Sequence, residues 1–208
     1  MKSFSLKGRA NKAILAGLAI GTGGFVMAAC GSSGSTASAT TATTAAPAPT
    51  VVHEYMTILT GGMIKSPGNP IYAPGNLTVP KNSIVDLTIT SYDDGAAPLT
   101  TGYTQYANAK GLIGGTETIG GTPAASVPNA NIAHTFTIPQ LGVNMPIPAA
   151  TADVTGQPKN TVVVEAQFKV TKAGTYVWHC FAPCGSGSDG MSGVMATSGQ
   201  MMGNLVVE

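Results

Sequence analysis

The chain has 208 residues, with ten Lys or Arg against nine Asp or Glu, and a formal net charge of +1 at pH 7. Charged residues make up 9% of it, against roughly 25% in ordinary soluble domains, so uncharged polar residues and glycine must cover most of the surface. The absence of a basic patch or a run of Lys or Arg excludes nucleic acid as an expected partner.

The N-terminal segment has the layout of an export signal rather than of a folded element. Four basic residues lie within the first twelve and precede an apolar run of small residues over 13–29, which is typical of a signal peptide. Cys30 directly follows two alanines, and this junction resembles the bacterial lipobox. The resemblance implies a lipoprotein signal peptide over 1–30 with a lipid anchor on Cys30. An ordinary signal peptide is the alternative.

Residues 31–50 are almost entirely Ser, Thr, Ala, Gly and Pro, a composition that cannot build a core and predicts a flexible tether. Residues 51–208 then form one domain. We therefore expect an extracytoplasmic domain anchored to the outer face of the cell membrane.

Strand signals recur through 51–208 as runs rich in β-branched residues, separated by clusters of Gly, Pro, Asn and Asp. No stretch has a helical period, so the sequence predicts an all-β fold, most economically a multi-stranded antiparallel sandwich. The predicted strands cover 51–59, 76–79, 83–90, 133–138, 161–170, 175–180 and 204–207.

A long polar, Gly-rich stretch over 91–131 interrupts this pattern, and we call it the insertion. It is predicted to be an excursion between strands, pinned to the domain by Tyr92, Tyr103 and Tyr106. Long insertions of this kind are often functional.

The residues with the chemistry of a metal site lie in the C-terminal third and on one earlier strand. Cys180 and Cys184 lie four residues apart in a loop after a predicted strand, and outside the cytoplasm such a pair oxidises or holds a metal. Met191 follows in the same loop, and His134 begins another predicted strand. Thiolate, imidazole and thioether form the donor set of copper electron-transfer sites.

The order of these residues resembles the copper-A domain of cytochrome c oxidase subunit II, a member of the cupredoxin superfamily. The resemblance is carried by His134 with Pro139-Gln140-Leu141-Gly142, by Ala173-Gly174-Thr175-Tyr176, and by the cysteine loop. It implies a cupredoxin-like Greek-key β-sandwich with a binuclear copper site of the pattern Cys-x3-Cys-x3-His-x2-Met.

The family pattern assigns most of its ligands to matching positions here. It implies metal ligands at His134, Cys180, Cys184 and Met191, with the backbone carbonyl of Ala182 as a further donor. The second histidine of the pattern falls on Ser188, and a serine hydroxyl is a poor copper ligand.

Three hypotheses about the site therefore stay open. The aligned residues hold copper in a mononuclear or altered site; or Asp189 or His179 supplies the missing donor of a binuclear site; or the sandwich holds no metal and closes a Cys180–Cys184 disulfide. Strand alternation sends His179 to the face opposite Cys180, which disfavours it as a ligand of the same ion.

The methionines near the C-terminus form a second pattern. Met191, Met195, Met201 and Met202 lie close together, and thioethers favour Cu(I), although methionine is also a common core residue. A copper storage or delivery lipoprotein is therefore one alternative function.

The leading functional hypothesis is a membrane-tethered copper protein that transfers electrons in a respiratory chain. Its expected redox partner is a cytochrome or a terminal oxidase, and the chain acts as an electron carrier or oxidase-associated domain rather than as an enzyme by itself. The third hypothesis is a metal-free interaction domain with the disulfide.

Overall fold

The computed structural model describes residues 48–65, 69–150 and 160–208. The predicted signal peptide with Cys30, and the tether up to residue 47, lie outside the described residues. Within them the chain forms eleven strands and five short 3-10 turns, without an α-helix. The described residues contain no helix with the length and hydropathy of a membrane span.

The strands are numbered in chain order and form two sheets. One sheet has six strands in the order β2-β1-β4-β9-β5-β6, and the other has five in the order β3-β11-β10-β7-β8. This confirms the predicted all-β class. The strands are β1 (Thr50–Leu59), β2 (Ile71–Ala73), β3 (Asn76–Val79), β4 (Ser83–Ser91), β5 (Glu117–Ile119), β6 (Thr122–Ala124), β7 (Ile132–Ile138), β8 (Val143–Pro148), β9 (Val162–Val170), β10 (Gly174–His179) and β11 (Met202–Val207).

Two strand pairs differ from the predicted antiparallel arrangement. β1 runs parallel to β4, and β3 runs parallel to β11. Parallel neighbours need a crossover connection, and here β2 and β3 lie between β1 and β4 in the chain, with β3 in the opposite sheet. The chain thus crosses between the sheets before it returns beside β1.

The core lies between the two sheets and follows from the alternation of side chains along each strand. In β4 every second residue from Ser83 to Ser91 is buried, and β9 shows the same period. Leu87 and Phe168 from the six-stranded sheet join Phe136 and Trp178 from the five-stranded sheet in one hydrophobic cluster. Each sheet therefore buries one face against the other.

β7 is the exception, because all seven of its residues are buried. The insertion covers its second face. On the neighbouring β8, the Asn144 side chain donates hydrogen bonds to the backbone oxygens of Tyr106 and Asn108 at 2.8 and 2.7 Å. Tyr103 and Tyr106 pack partly buried against the core, as predicted, whereas Tyr92 is 38% exposed. β7 is therefore shielded on both faces.

Candidate metal centre

Three side chains that could bind a metal ion meet although they come from separate parts of the chain. His134 lies on β7, Cys180 directly follows β10, and Cys184 lies in the loop beyond it. Their candidate ligand atoms all lie within 4.8 Å of one another. We call these three residues the cluster, and the sequence predicted each of them as a ligand.

The distances within the cluster fit coordination of a single ion. The sulfurs of Cys180 and Cys184 are 3.6 Å apart, and Nδ1 of His134 lies 3.9 Å from the first and 3.4 Å from the second. Two sulfurs bound tetrahedrally to one ion at ~2.3 Å would be ~3.8 Å apart, and a sulfur and a nitrogen ~3.5 Å apart. The cluster could therefore hold a metal ion without large rearrangement.

A thioether also reaches the cluster, and it belongs to Met195. Its sulfur lies 3.4 Å from the Cys184 sulfur, and the residue is 5% exposed. Met191, the methionine predicted as a ligand, packs partly buried against the core, and its backbone N–H donates to Asp189. The described thioether contact thus falls four residues further along the chain than the family pattern implies.

Gly185 makes room for Met195. A Cβ at this glycine would lie 2.3 Å from the backbone oxygen of Ser192 and 2.5 Å from Cγ of Met195. Ser186 and Ser192 pair across the same loop, so the loop folds back on itself just before Met195. A glycine directly after Cys184 therefore allows the methionine to approach the cysteine.

The backbone carbonyl of Ala182 also lies at the cluster, as its predicted role requires. Its oxygen is 3.3 Å from the Cys184 sulfur and 3.8 Å from the Cys180 sulfur. The residue itself is completely buried. An additional oxygen donor is therefore within reach of the two thiols.

Asp93 orients the histidine and was not predicted from the sequence. Nε2 of His134 lies 2.9 Å from Oδ2 of Asp93, while Nδ1 faces the sulfurs. The backbone N–H of Gly95 donates to the other oxygen of Asp93. Carboxylate groups commonly fix metal-binding histidines in this way. The only sequence signal was an acidic pair, 93–94, just after a predicted strand.

Electrostatic interactions prepare Cys180 as a thiolate. Burial by itself raises the pKa of Cys180, but hydrogen bonds with Cys184 and His134 bring it well below the usual thiol value. Burial by itself lowers the pKa of His134, but the interactions with Asp93 and Cys180 raise it to about 9. The hydrogen bond with Cys180, together with burial, raises the pKa of Cys184. A metal ion would thus replace protons on His134 and Cys184.

Thr135 holds the Cys180 side of the cluster in place. Its backbone N–H donates to the Cys180 sulfur at 3.4 Å, and its hydroxyl accepts the backbone N–H of Phe181 at 2.9 Å. The hydroxyl oxygens of Thr135 and Thr137 are 3.1 Å apart, and Thr137 donates to the Asn144 side chain at 2.6 Å. A series of buried hydrogen-bonding groups thus links Cys180 to Asn144 on β8, which binds the insertion.

The remaining predicted donors lie elsewhere. The His179 ring is 5.7 Å from the Phe181 ring, and burial lowers the pKa of this histidine. Asp189 is exposed and accepts the Met191 N–H, and Ser188 is also exposed. Cys180 and Cys184 are both free thiols, so the disulfide of the metal-free hypothesis is not formed in this structure.

Comparison with known proteins finds no matching family model and no matching curated protein. Among solved structures, rusticyanin from Thiobacillus ferrooxidans is 16% identical, with 77% of this chain and 79% of its own covered and a TM-score of 0.32. Auracyanin B is 13% identical, with 78% of this chain and 92% of auracyanin B covered and a TM-score of 0.34. A multicopper oxidase from Campylobacter jejuni is 14% identical, with 78% of this chain and 31% of the oxidase covered and a TM-score of 0.36. These likenesses are too weak to assign a function to this chain.

Proposed function

We propose that this chain is a cupredoxin-like copper protein that transfers single electrons. The observation that carries the proposal is the convergence of His134, Cys180, Cys184 and the Met195 thioether at one largely buried position. Soft thiolate and thioether ligands with imidazole accommodate both Cu(I) and Cu(II). When bound, copper would supply a one-electron couple.

The protein's own residues hold the ligands in place and shield two of them from water. His134 is fully buried and Cys180 is 2% exposed, so water is excluded from two of the donors. Asp93 holds the imidazole, and Thr135 holds the Cys180 sulfur. Little rearrangement is then needed between two oxidation states, which favours an electron carrier over an enzyme.

Within this proposal His134, Cys180 and Cys184 are the strong ligands, and Met195 is the weak one. Met191 is replaced in that role because its described contacts are with the core and with Asp189. The site is then mononuclear. A binuclear centre would need a second imidazole, and neither His179 nor Asp189 belongs to the cluster of described donor atoms.

The test is copper loading of the full chain, purified with its thiols protected, followed by metal analysis and absorption spectroscopy. We expect one copper per chain and strong thiolate-to-copper absorption that is reversibly lost on reduction. Cys180→Ser should abolish that absorption. Ser188→Ala, at the exposed position where the family pattern has histidine, should leave it unchanged. A protein that takes up no copper and has no free thiols would instead support the metal-free hypothesis.

Copper storage or delivery is the second candidate function. It is favoured by the partial exposure of Cys184 next to a second thiol and a thioether, because such a site suits Cu(I) and is open to exchange. Tight binding of colourless Cu(I) without reversible oxidation would decide for this function.

We also propose that a lipid on Cys30 tethers the domain to the outer face of the membrane, where a cytochrome or terminal oxidase would be its redox partner. β1 begins at Thr50, so the nineteen residues 31–49 would separate the lipid from the first strand. Cys30→Ser should release the protein from washed membranes of the producing cells. Retention of that variant at the wild-type level would contradict the anchor.

A further inference from the structure

Three aromatic rings form a continuous stack beside the cluster, and we call Phe181, Tyr106 and Tyr103 the aromatic stack. The rings of Phe181 and Tyr106 are 4.3 Å apart between centroids and inclined by 5°. Tyr103 lies 5.4 Å from Phe181 and 6.3 Å from Tyr106. All three residues are partly exposed and also pack against the core. The stack therefore connects the interior with the surface.

The aromatic stack is joined directly to a ligand of the cluster. Phe181 follows Cys180 in the chain, so one peptide unit separates the sulfur-bearing residue from the first ring. Thr135 adds a second connection, because it contacts both the Cys180 sulfur and the Phe181 N–H. Of the other ligands, His134 is fully buried, and its Nε2 atom is hydrogen-bonded to Asp93. The stack is thus a short covalent and aromatic path from Cys180 to solvent.

The ring positions are fixed by the fold rather than by the rings alone. Asn144 binds the backbone oxygens of Tyr106 and Asn108, and its own oxygen accepts the Thr137 hydroxyl. The residue is 3% exposed, so these hydrogen bonds are shielded from water. Tyr106 is therefore held in register with Phe181.

A cavity of about 420 Å³ lies beside Tyr106 and extends to Thr137 and Asn144. This volume is in the range of small-molecule sites. Among the residues that line it, Lys110 is the charged one, and its side chain is exposed. An anion approaching Tyr106 would therefore meet a favourable charge.

We propose that the aromatic stack is the electron port of the metal centre and that the cavity beside Tyr106 receives an anionic one-electron carrier. This inference rests on the proposed electron-transfer function. The carrier gains the single electron that the centre loses, along the path Cys180, Phe181, Tyr106. No bond forms or breaks, and no proton moves.

The experiment measures the second-order rate at which the reduced, copper-loaded full chain is oxidised, by stopped flow at low ionic strength. The probes are the anion hexacyanoferrate(III) and the cation tris(phenanthroline)cobalt(III). Tyr106→Leu should slow both reactions by roughly tenfold, equivalent to ~1.4 kcal/mol of activation free energy. Tyr106→Phe keeps the ring and should retain the wild-type rates. Lys110→Gln should slow only the reaction with hexacyanoferrate.

Two further variants guard against unrelated effects. Tyr55→Leu removes a 66% exposed ring from β1, in the other sheet, and should change neither rate. Phe181→Leu removes the first ring of the path and serves if Tyr106→Leu does not fold. All variants should keep the absorption spectrum and midpoint potential of the wild type, which separates the port from the ligand set.

The outcomes distinguish the two proposals. Wild-type rates for Tyr106→Leu or, where that variant does not fold, for Phe181→Leu, with an intact spectrum, would overturn the port alone and assign electron transfer to the partly exposed Cys184. Equal slowing of both probes by Lys110→Gln would overturn the anionic carrier. A wild-type protein without thiolate-to-copper absorption would overturn the electron-transfer function and the port together.

Discussion

Met191 and Met195 are a matched pair of residues whose replacement separates the family pattern from the observed site. Met195→Leu removes the thioether that contacts Cys184 but keeps a similar volume, so the fold should lose less than about 1.5 kcal/mol. We expect copper to stay bound while the midpoint potential and the absorption spectrum change, since a weak ligand tunes the potential. Cyclic voltammetry and absorption spectra measure both effects.

Met191→Leu is the control, and it should leave potential and spectrum at their wild-type values. The opposite result, a shifted potential for Met191→Leu and none for Met195→Leu, would restore the ligand assignment implied by the family pattern.

The site could be predicted from sequence where ligand identity is a matter of chemistry, and not where it depends on loop geometry. His134, Cys180 and Cys184 carry imidazole and thiol groups, which are rare in this chain. They also fall at ligand positions of the family pattern, so they were predicted from the sequence. Met195 depends on the close approach that Gly185 permits, which spacing alone does not reveal. Asp93 contacts a histidine 41 positions away, and nothing local to either residue signals that pairing.

At the scale of elements, the prediction succeeded for strands with alternating β-branched residues and missed the others. β8 contains Pro146 and Pro148 and was not predicted because proline normally interrupts a ladder; its place at the edge of a sheet tolerates both. β2, β5 and β6 have three residues each, too few to show a period. The parallel pairs follow from crossovers between the sheets, which no local pattern encodes.

A buried amide, that of Asn144, attaches the insertion to β8, in addition to the pairing of β5 with β9. Asn144→Ala would leave two carbonyls without their partner and the Thr137 hydroxyl with Thr135 alone, and an unsatisfied buried group costs ~1–3 kcal/mol. We expect a loss of about 3 kcal/mol in the free energy of unfolding, measured by urea denaturation, and faster proteolysis within 100–128.

Asn108→Ala is the comparison for this effect. The Asn108 side chain is exposed, and its hydrogen bond among the described residues is to the nearby oxygen of Gln105 at 3.3 Å, so its loss should change stability by no more than ~0.5 kcal/mol. Equal stability of the two variants would show that the insertion does not depend on the amide for its attachment.

At the scale of the whole molecule, a single buried acid sets a pH dependence of stability. Glu117 is 1% exposed, and neither of its carboxylate oxygens has a hydrogen-bond partner among the described residues. Burial raises the pKa of Glu117 from 4.5 to about 9. The unfolded chain therefore releases this proton near pH 4.5, whereas the folded chain retains it until about pH 9. The burial of Glu117 therefore destabilises the folded state least in acid, and the free energy of unfolding falls as the pH rises between those values.

Glu117→Gln replaces the acid with a neutral side chain of nearly the same shape and should remove that slope. The variant should match the wild type near pH 4 and exceed it by about 3 kcal/mol at pH 7, measured by urea denaturation across pH. His134 and Asp93 titrate in both proteins, so the difference between the two curves isolates Glu117. Glu165→Gln, exposed on β9, is the matched control and should leave the slope unchanged. Parallel curves for wild type and Glu117→Gln would mean that Glu117 ionises normally in the folded protein, with water reaching its carboxylate. A difference between the two curves that grows as the pH rises from 4.5 to about 9 would show that ionisation of Glu117 destabilises this sparsely charged fold.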